Sequence, residues 1–245
     1  MTPEAVQAAA AEQWMVAKLP MTQTPAVDTY AGQGPWDARL ARRLVAPLKD
    51  SWVTPNHLTT VRLALGLAAA AAFLPGTYGW SNAAALLLVL SNIADHADGE
   101  LARLSGKQSR IGHVYDLASD AAVTILLFVG IGIGLEGKWG IMWEFPPGVL
   151  GGIAGCAIAL IFYLRMLIED LLGKSAIRQA SLWGFETEDI LYLLPLVTLC
   201  NSVAPFLVAA SIGAPLFAIG VVIKYWRVLR KLRSLRDQST ARVSR

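Results

Sequence analysis

Residues 95–103 of the chain read DHADGELAR, and after eight further residues the chain continues as GHVYDLASD over residues 112–120. This stretch contains four aspartates between two strongly apolar segments. Asp95 and Asp98 are three residues apart, and Asp116 and Asp120 are four apart, so each pair shares one face of a helix. Two facing helices would bring all four carboxylates together.

Carboxylates close to a bilayer are unfavourable unless they meet a cation, a polar partner or water. Four of them at helical spacing therefore indicate a functional site rather than structural filler. Carboxylate oxygens are hard ligands of the kind that Mg²⁺ and Mn²⁺ prefer. The alternative is a set of interhelical salt bridges with Arg62, Arg103 and Arg110.

The composition predicts an all-α membrane protein. Of 245 residues, 55% are hydrophobic and only 16% are charged, which is too apolar for an ordinary soluble domain. The chain is long enough for about six membrane helices. The predicted spans are 57–75, 79–97, 112–135, 147–172, 188–202 and 204–226.

The charges of the loops predict the orientation in the membrane. Basic residues, Lys107 among them, lie between the second and third predicted spans, and eight more occur from Lys224 to Arg245. The loop Glu136–Pro147 contains only Lys138 as a positive charge. The positive-inside rule then puts both termini and the carboxylate cluster on the cytoplasmic side.

The regions outside the spans have distinct characters. Trp36, Leu40, Leu44 and Leu48 recur every four residues beside several arginines, which predicts an amphipathic helix in the headgroup layer. The alternative is a helix packed on the protein's own cytoplasmic face. The basic tail is expected to contact anionic lipid rather than nucleic acid. The predicted regions are an N-terminal extension and linker (1–35), the interfacial helix (36–50), a six-helix transmembrane catalytic domain (51–226) and the basic cytoplasmic tail (227–245).

The spacing D-x-x-D-G-x-x-A-R-x8-G-x3-D-x3-D resembles the signature of the CDP-alcohol phosphotransferases, also called CDP-alcohol phosphatidyltransferases. These are integral membrane enzymes that join an alcohol to a phosphate-linked group and release CMP. All eight signature positions are filled in this chain. The segment PNHLTTVR at 55–62 is similar to the P-N-x-x-T-x-x-R stretch that opens the first membrane helix in many members.

The resemblance implies a metal-dependent site with two ions of Mg²⁺ or Mn²⁺. Asp95, Asp98 and Asp116 would be metal ligands. Asp120 would either complete the metal site or act as the general base for the incoming hydroxyl, and the family pattern favours the base. The spacing of the residues does not separate these two roles.

The remaining signature positions would bind the CDP-linked donor. Arg103 would hold the donor phosphates through its planar guanidinium. The nucleotide would lie against the helix backbone at Gly99, Ala102 and Gly112, because these residues have no side chain or only a methyl group. Hydrogen bonds to the nucleotide or to a metal-ligand carboxylate are expected from Asn56 and Thr59.

The acceptor site is predicted near the cytoplasmic end of the fourth span. Arg165, Lys174 and Arg178 form a basic group that could hold an acceptor phosphate, as in family members that use glycerol phosphate or inositol phosphate. The carboxylates of Glu169 and Asp170 would instead neutralise this group, or favour an amine-bearing or uncharged alcohol.

The predicted function is transfer of a phosphatidyl group from CDP-diacylglycerol to a polar alcohol in phospholipid synthesis. One alternative is transfer of phosphocholine or phosphoethanolamine from a CDP-alcohol to a lipid alcohol. Rivals of other classes are a membrane cation transporter and a non-catalytic scaffold. A cation path has no evident need for a phosphate-binding arginine and two bare glycines, and a scaffold has little reason to keep every carboxylate. The resemblance further implies a homodimer, and the location predicted is the bacterial inner membrane.

Overall fold

The computed structural model of the 245-residue chain describes residues 36–107, 109–138, 145–172 and 193–243. Every regular element in these ranges is helical, which confirms the all-α prediction for this part of the protein. The unit Met1–Pro35 lies outside the described residues. The helices are α1 (Trp36–Val45, continued by a 3₁₀ turn at Ala46–Leu48), α2 (Pro55–Phe73), α3 (Tyr78–Ser105), α4 (Arg110–Leu135), α5 (Pro147–Leu172), α6 (Leu194–Leu199) and α7 (Val203–Val243).

The two aspartate-bearing helices, α3 and α4, both pack against α2. Helix α3 ends at Gly106, whose φ of +67° suits a residue without a side chain. Helix α4 begins after Ser109, whose hydroxyl accepts a hydrogen bond from the Gly112 N–H at 3.0 Å. Proline occupies the first turn of α2, where its missing N–H is tolerated. Helix α2 is therefore the common support on which both halves of the signature are arranged.

A hydrophobic core joins α2–α7 on the side away from the aspartates. Its largest members include Phe73, Leu88, Phe128 and Leu207, each at most 1% exposed. The ring of Phe128 stacks on that of Phe206, with centroids 6.0 Å apart. Close backbone contacts accompany this packing, because a Cβ added to Gly130 would lie 2.4 Å from the Ala70 carbonyl oxygen. Glycine at such positions lets the helices approach each other closely.

In the part of the chain that the structure describes, three helices are long and apolar enough to cross a membrane: Ile111–Leu135, Pro147–Ile168 and Val203–Ser234. They correspond to the third, fourth and sixth predicted spans. The first and second predicted spans fall on α2 and α3, which are helical but more polar, since α2 contains Arg62 and α3 ends in the DHADGELAR segment. The count of six transmembrane helices therefore remains a prediction.

The predicted fifth span, 188–202, lies partly outside the described residues. Its described part is the six-residue helix α6, followed by a turn in which Asn201 has a φ of +53°. The sixth span is longer than predicted, because α7 continues without interruption to Val243. Most of the predicted basic tail, 227–245, is therefore a helical extension of the last apolar helix.

Helix α1 occupies most of the predicted interfacial segment, 36–50. Ala41 and Val45 are buried, and they pack with Ala97 and Leu101 of α3. Leu44 on the neighbouring face is 54% exposed. Helix α1 thus covers the end of α3 that contains the signature, and its position in the headgroup layer remains a prediction.

Candidate active site

Three of the four signature carboxylates converge on one point. Oxygen atoms of Asp95, Asp98 and Asp116 all lie within 4.8 Å of one another. The first two come from α3 and the third from α4, as helical spacing and close packing on α2 require. Asp98 is only 6% exposed, whereas Asp95 and Asp116 are half-buried. The cluster is thus buried on one side and accessible on the other.

Arg62 of α2 lies among these carboxylates and is only 2% exposed. Its Nη1 forms ion pairs with Asp95 and, at 2.9 Å, with Oδ1 of Asp116. Its Nη2 donates to the Asp116 carbonyl oxygen at 3.0 Å and pairs with Oδ1 of Asp120 at 2.8 Å. A buried guanidinium requires such partners. Arg62 therefore links α2 to both aspartate helices.

Thr59, one turn before Arg62, completes the support from α2. Its hydroxyl lies 2.7 Å from Oδ2 of Asp98 and 3.2 Å from the Pro55 carbonyl oxygen. A hydroxyl has one proton to donate, and the shorter, charge-assisted contact to Asp98 takes it. Of the two roles expected for Thr59, the structure shows the contact to a carboxylate.

Asp120 lies one helical turn beyond Asp116 and is joined to the cluster through Arg62. Its side chain is 46% exposed, so the carboxylate can be reached from outside the protein. Among the described residues, the carboxylates close enough together to share a metal ion are those of the other three aspartates and do not include Asp120. Asp120 therefore has a different environment from the other three aspartates.

The three clustered carboxylates fit a divalent metal ion. They offer oxygen ligands close enough to share one ion. Oδ1 of Asp116 is buried and lies 2.9 Å from Nη1 of Arg62, which balances its charge. The fit to a metal ion depends on the convergence of the three carboxylates.

The residues expected to bind the donor lie at the rim of the cluster. Arg103 is exposed, and its Nη2 pairs with Oε1 of Glu100 at 2.8 Å. A Cβ added to Gly99 would lie 3.7 Å from that same Nη2. Gly99 and Arg103 thus share one face of α3, and the half-buried Ala102 lies between them in sequence. The guanidinium is accessible to a substrate but does not contact the aspartate cluster in the described structure.

Gly112 lies against the polar ends of two side chains. An added Cβ would lie 2.8 Å from Oδ1 of Asn56 and 3.0 Å from the Ser109 hydroxyl. The first turn of α2 is therefore close to the first turn of α4. Asn56 itself is exposed, so its amide remains accessible to a ligand.

The predicted acceptor residues are only partly described. Arg165 is half-buried on α5, which packs against α4 and α7. Lys174 and Arg178 lie outside the described residues, as do the side chains of Glu169 and Asp170. The acceptor assignment therefore remains a prediction.

Sequence reasoning gave Arg62 as the last residue of the PNHLTTVR segment and as one of three possible salt-bridge partners, and did not anticipate that it contacts three of the four aspartates. The sequence feature that could have indicated this role was the position of Arg62 at the end of the PNHLTTVR segment. The pair formed by the Thr60 hydroxyl and the Tyr115 hydroxyl, 3.1 Å apart, was also not anticipated. Both features depend on the packing of α2 against α4, which the spacing within one helix does not specify.

The chain belongs to the CDP-alcohol phosphatidyltransferase family, whose model matches residues 52–227. The match covers all of the helices that build the site. Family membership, together with the apolar helices, makes the chain an integral membrane protein.

A similar curated protein is the CDP-diacylglycerol–glycerol-3-phosphate 3-phosphatidyltransferase of Cereibacter sphaeroides. It is 35% identical over 80 residues, which cover 32% of this chain and 36% of the relative. The chain therefore spans little more than a third of the length of this relative in the match.

Solved structures of Mycobacterium tuberculosis phosphatidylinositol phosphate synthase (PgsA1) are also similar. The form with CDP-DAG bound is 22% identical, with a TM-score of 0.48 and coverage of 80% of this chain and 92% of the other. The apo form is 22% identical, with a TM-score of 0.49 and coverage of 78% and 93%. At these scores no property of those proteins is transferred to this chain.

Proposed function

We propose that the protein transfers a phosphatidyl group from CDP-diacylglycerol to a polar alcohol and releases CMP. The observation that carries this function is the convergence of Asp95, Asp98 and Asp116 beside a separate, accessible Asp120, in a chain of this family. The name of the Cereibacter sphaeroides relative supports CDP-diacylglycerol as the donor.

The three clustered aspartates would hold Mg²⁺ or Mn²⁺, and the family pattern implies two ions. The bound metal would neutralise the donor diphosphate and polarise the phosphorus that is attacked. Thr59 would orient the Asp98 carboxylate by donating to Oδ2. The half-buried positions of Asp95 and Asp116 leave one side of the cluster open to a substrate.

Asp120 is proposed as the general base. The acceptor oxygen attacks the phosphorus of the phosphatidyl group, and the bond from that phosphorus to the CMP oxygen breaks. The acceptor's proton passes to the Asp120 carboxylate, and CMP leaves with the bonding electrons. The place of Asp120 outside the three-aspartate group favours this role over that of a fourth ligand.

The donor would lie along the rim formed by α3 and the first turns of α2 and α4. Arg103 would break its ion pair with Glu100 and bind the donor phosphates instead, since charge-assisted contacts of a guanidinium to phosphate are strong. Gly99 and Ala102 have no side chain or a small one, which leaves space for the donor on this face of α3. Asn56 would donate to the nucleotide, and Gly112 allows α2 and Asn56 to lie this close to α4.

The acceptor would be held by Arg165, Lys174 and Arg178 if it is a phosphorylated alcohol. The glycerol 3-phosphate named for the Cereibacter sphaeroides relative is of that chemical class. We further propose that the protein assembles as a homodimer. Both termini would be cytoplasmic, and the protein would be located in a bacterial inner membrane.

The test is a series of four Asp→Asn variants assayed with CDP-diacylglycerol and a panel of alcohols, with CMP release measured and the lipid product identified by mass. Variants at Asp95, Asp98 and Asp116 should weaken metal and donor binding together. Asp120→Asn should mainly lower kcat, by about a hundredfold or more, because removal of a general base acts on turnover.

The control is Asp50→Asn, which makes the same change at a carboxylate that is 85% exposed and paired with Lys49. It should leave all kinetic constants unchanged. Normal turnover in Asp120→Asn would remove that residue as the base. Normal activity in all four site variants would refute the proposed enzyme function.

A further inference from the structure

The position of Arg62 has a consequence for how the site responds to metal. Its Nη1 faces Oδ1 of Asp95 and Oδ1 of Asp116, which belong to two of the three clustered aspartates. A metal ion held by those aspartates and the guanidinium would compete for the same negative charge. Like charges at such short range repel strongly in a partly buried site.

The other half of the guanidinium is directed elsewhere. Nη2 contacts the Asp116 carbonyl oxygen and the Asp120 carboxylate, which lie outside the three-carboxylate group. Asp98, the most buried of the aspartates, receives the neutral hydroxyl of Thr59 as its donor instead. Helix α2 thus presents a hydroxyl to one ligand and a positive charge to the others.

Arg62 is held firmly where it is. The residue is almost fully buried, and its carbonyl oxygen accepts a hydrogen bond from the Ser91 hydroxyl of α3 at 2.9 Å. Its burial limits the space into which the guanidinium could move, so its charge is held close to the cluster.

We propose that Arg62 is the counterion of the metal site in the metal-free protein. Its guanidinium neutralises Asp95 and Asp116 until a metal ion binds to these carboxylates in its place. It is a positioning residue that holds the carboxylates together before metal binds and lowers the affinity of the site for metal. This inference rests on the proposed metal-dependent function.

The test measures Mn²⁺ binding directly, by electron paramagnetic resonance on the purified full-length protein without nucleotide. Arg62→Gln should bind Mn²⁺ about ten- to a hundredfold more tightly than wild type, because a buried positive charge beside the ligands has been removed. Its metal-free form should unfold at a lower temperature, since the carboxylates lose their counterion. Mn²⁺ should raise that temperature more than it does in wild type.

The matched control is Lys107→Gln. Lys107 is exposed, donates to the Ser51 carbonyl oxygen at 3.1 Å and lies just after the same end of α3. The Lys107→Gln variant removes one positive charge that does not contact the aspartate cluster. Its Mn²⁺ affinity should stay within about twofold of wild type because exposed charges are screened. A merely structural role for Arg62 would lower stability without tightening metal binding.

Arg62→Lys covers the case in which the glutamine variant does not fold. Lysine keeps the charge but has one nitrogen, so it cannot contact the Asp95 side and Asp120 together, and Mn²⁺ should bind severalfold more tightly than in wild type. Unchanged or weaker Mn²⁺ binding in the folded variant would overturn the counterion role alone. Absence of Mn²⁺ binding in wild type would overturn both this role and the proposed metal-dependent function.

Discussion

Replacing Thr59 with valine tests whether the contacts from α2 prepare the metal centre. The hydroxyl donates to Oδ2 of Asp98 at 2.7 Å, and the two residues are 3% and 6% exposed. Valine has nearly the same shape, so packing is preserved while the donor is lost. The buried carboxylate then has no compensating contact with water.

The size of the effect follows from this geometry. A hydrogen bond to a charged group contributes about 1.5–3 kcal/mol, and each 1.4 kcal/mol corresponds to about a tenfold change in binding. Loss of a hydrogen bond that orients a metal ligand lowers metal affinity by about ten- to a hundredfold. We therefore expect Thr59→Val to weaken Mn²⁺ binding by that factor. Thr59→Ser, which keeps the hydroxyl, should bind close to wild type.

The assay is Mn²⁺ titration followed by electron paramagnetic resonance, together with CMP release at saturating metal. Thr198→Val is the control, because Thr198 is 1% exposed and bonds only a local carbonyl oxygen, that of Pro195. Thr198 lies on α6, which meets α3 near Tyr78, about 30 Å along that helix from Asp98. Unchanged metal affinity in a folded Thr59→Val protein would refute the supporting role of α2.

Two further predictions concern the acceptor and the topology. If Arg165 binds an acceptor phosphate, Arg165→Gln should raise the acceptor KM by about ten- to a hundredfold and leave the donor KM unchanged; an equal effect on both substrates would contradict this role. If the positive-inside rule holds, single cysteines placed at Lys107 and Lys138, in a protein lacking Cys156 and Cys200, should differ in labelling by an impermeant reagent on intact cells. Position 138 should be labelled and position 107 spared, and the reverse result would invert the topology.

Local sequence patterns predicted the helices well where apolar runs were long. The predicted spans 112–135 and 147–172 agree closely with α4 and α5, because hydrophobic length is a property of the segment itself. The start of α7 at Val203 and the turn before it agree with the predicted spans 188–202 and 204–226, whereas the continuation of α7 to Val243 was not predicted. Hydropathy reports where an apolar run ends, and this helix continues through the basic residues beyond it.

The packing of α1 shows a similar limit. A repeat of apolar residues every four positions predicts an amphipathic helix, and a helix is present over Trp36–Val45. The pattern does not say what its apolar face contacts. In the structure Ala41 and Val45, which lie beside the predicted stripe, pack on Ala97 and Leu101, whereas Leu44 of that stripe is exposed.

The sequence by itself determined which residues make up the candidate site, because four aspartates at helical spacing, with glycines and an arginine at signature positions, are a local property of the chain. Only the tertiary structure decided how they are held. Helix α2 packs against both aspartate helices, and it brings Thr59 to Asp98 and Arg62 to Asp95, Asp116 and Asp120. These contacts join residues from 33 to 58 positions apart, and helical periodicity relates only residues a few positions apart.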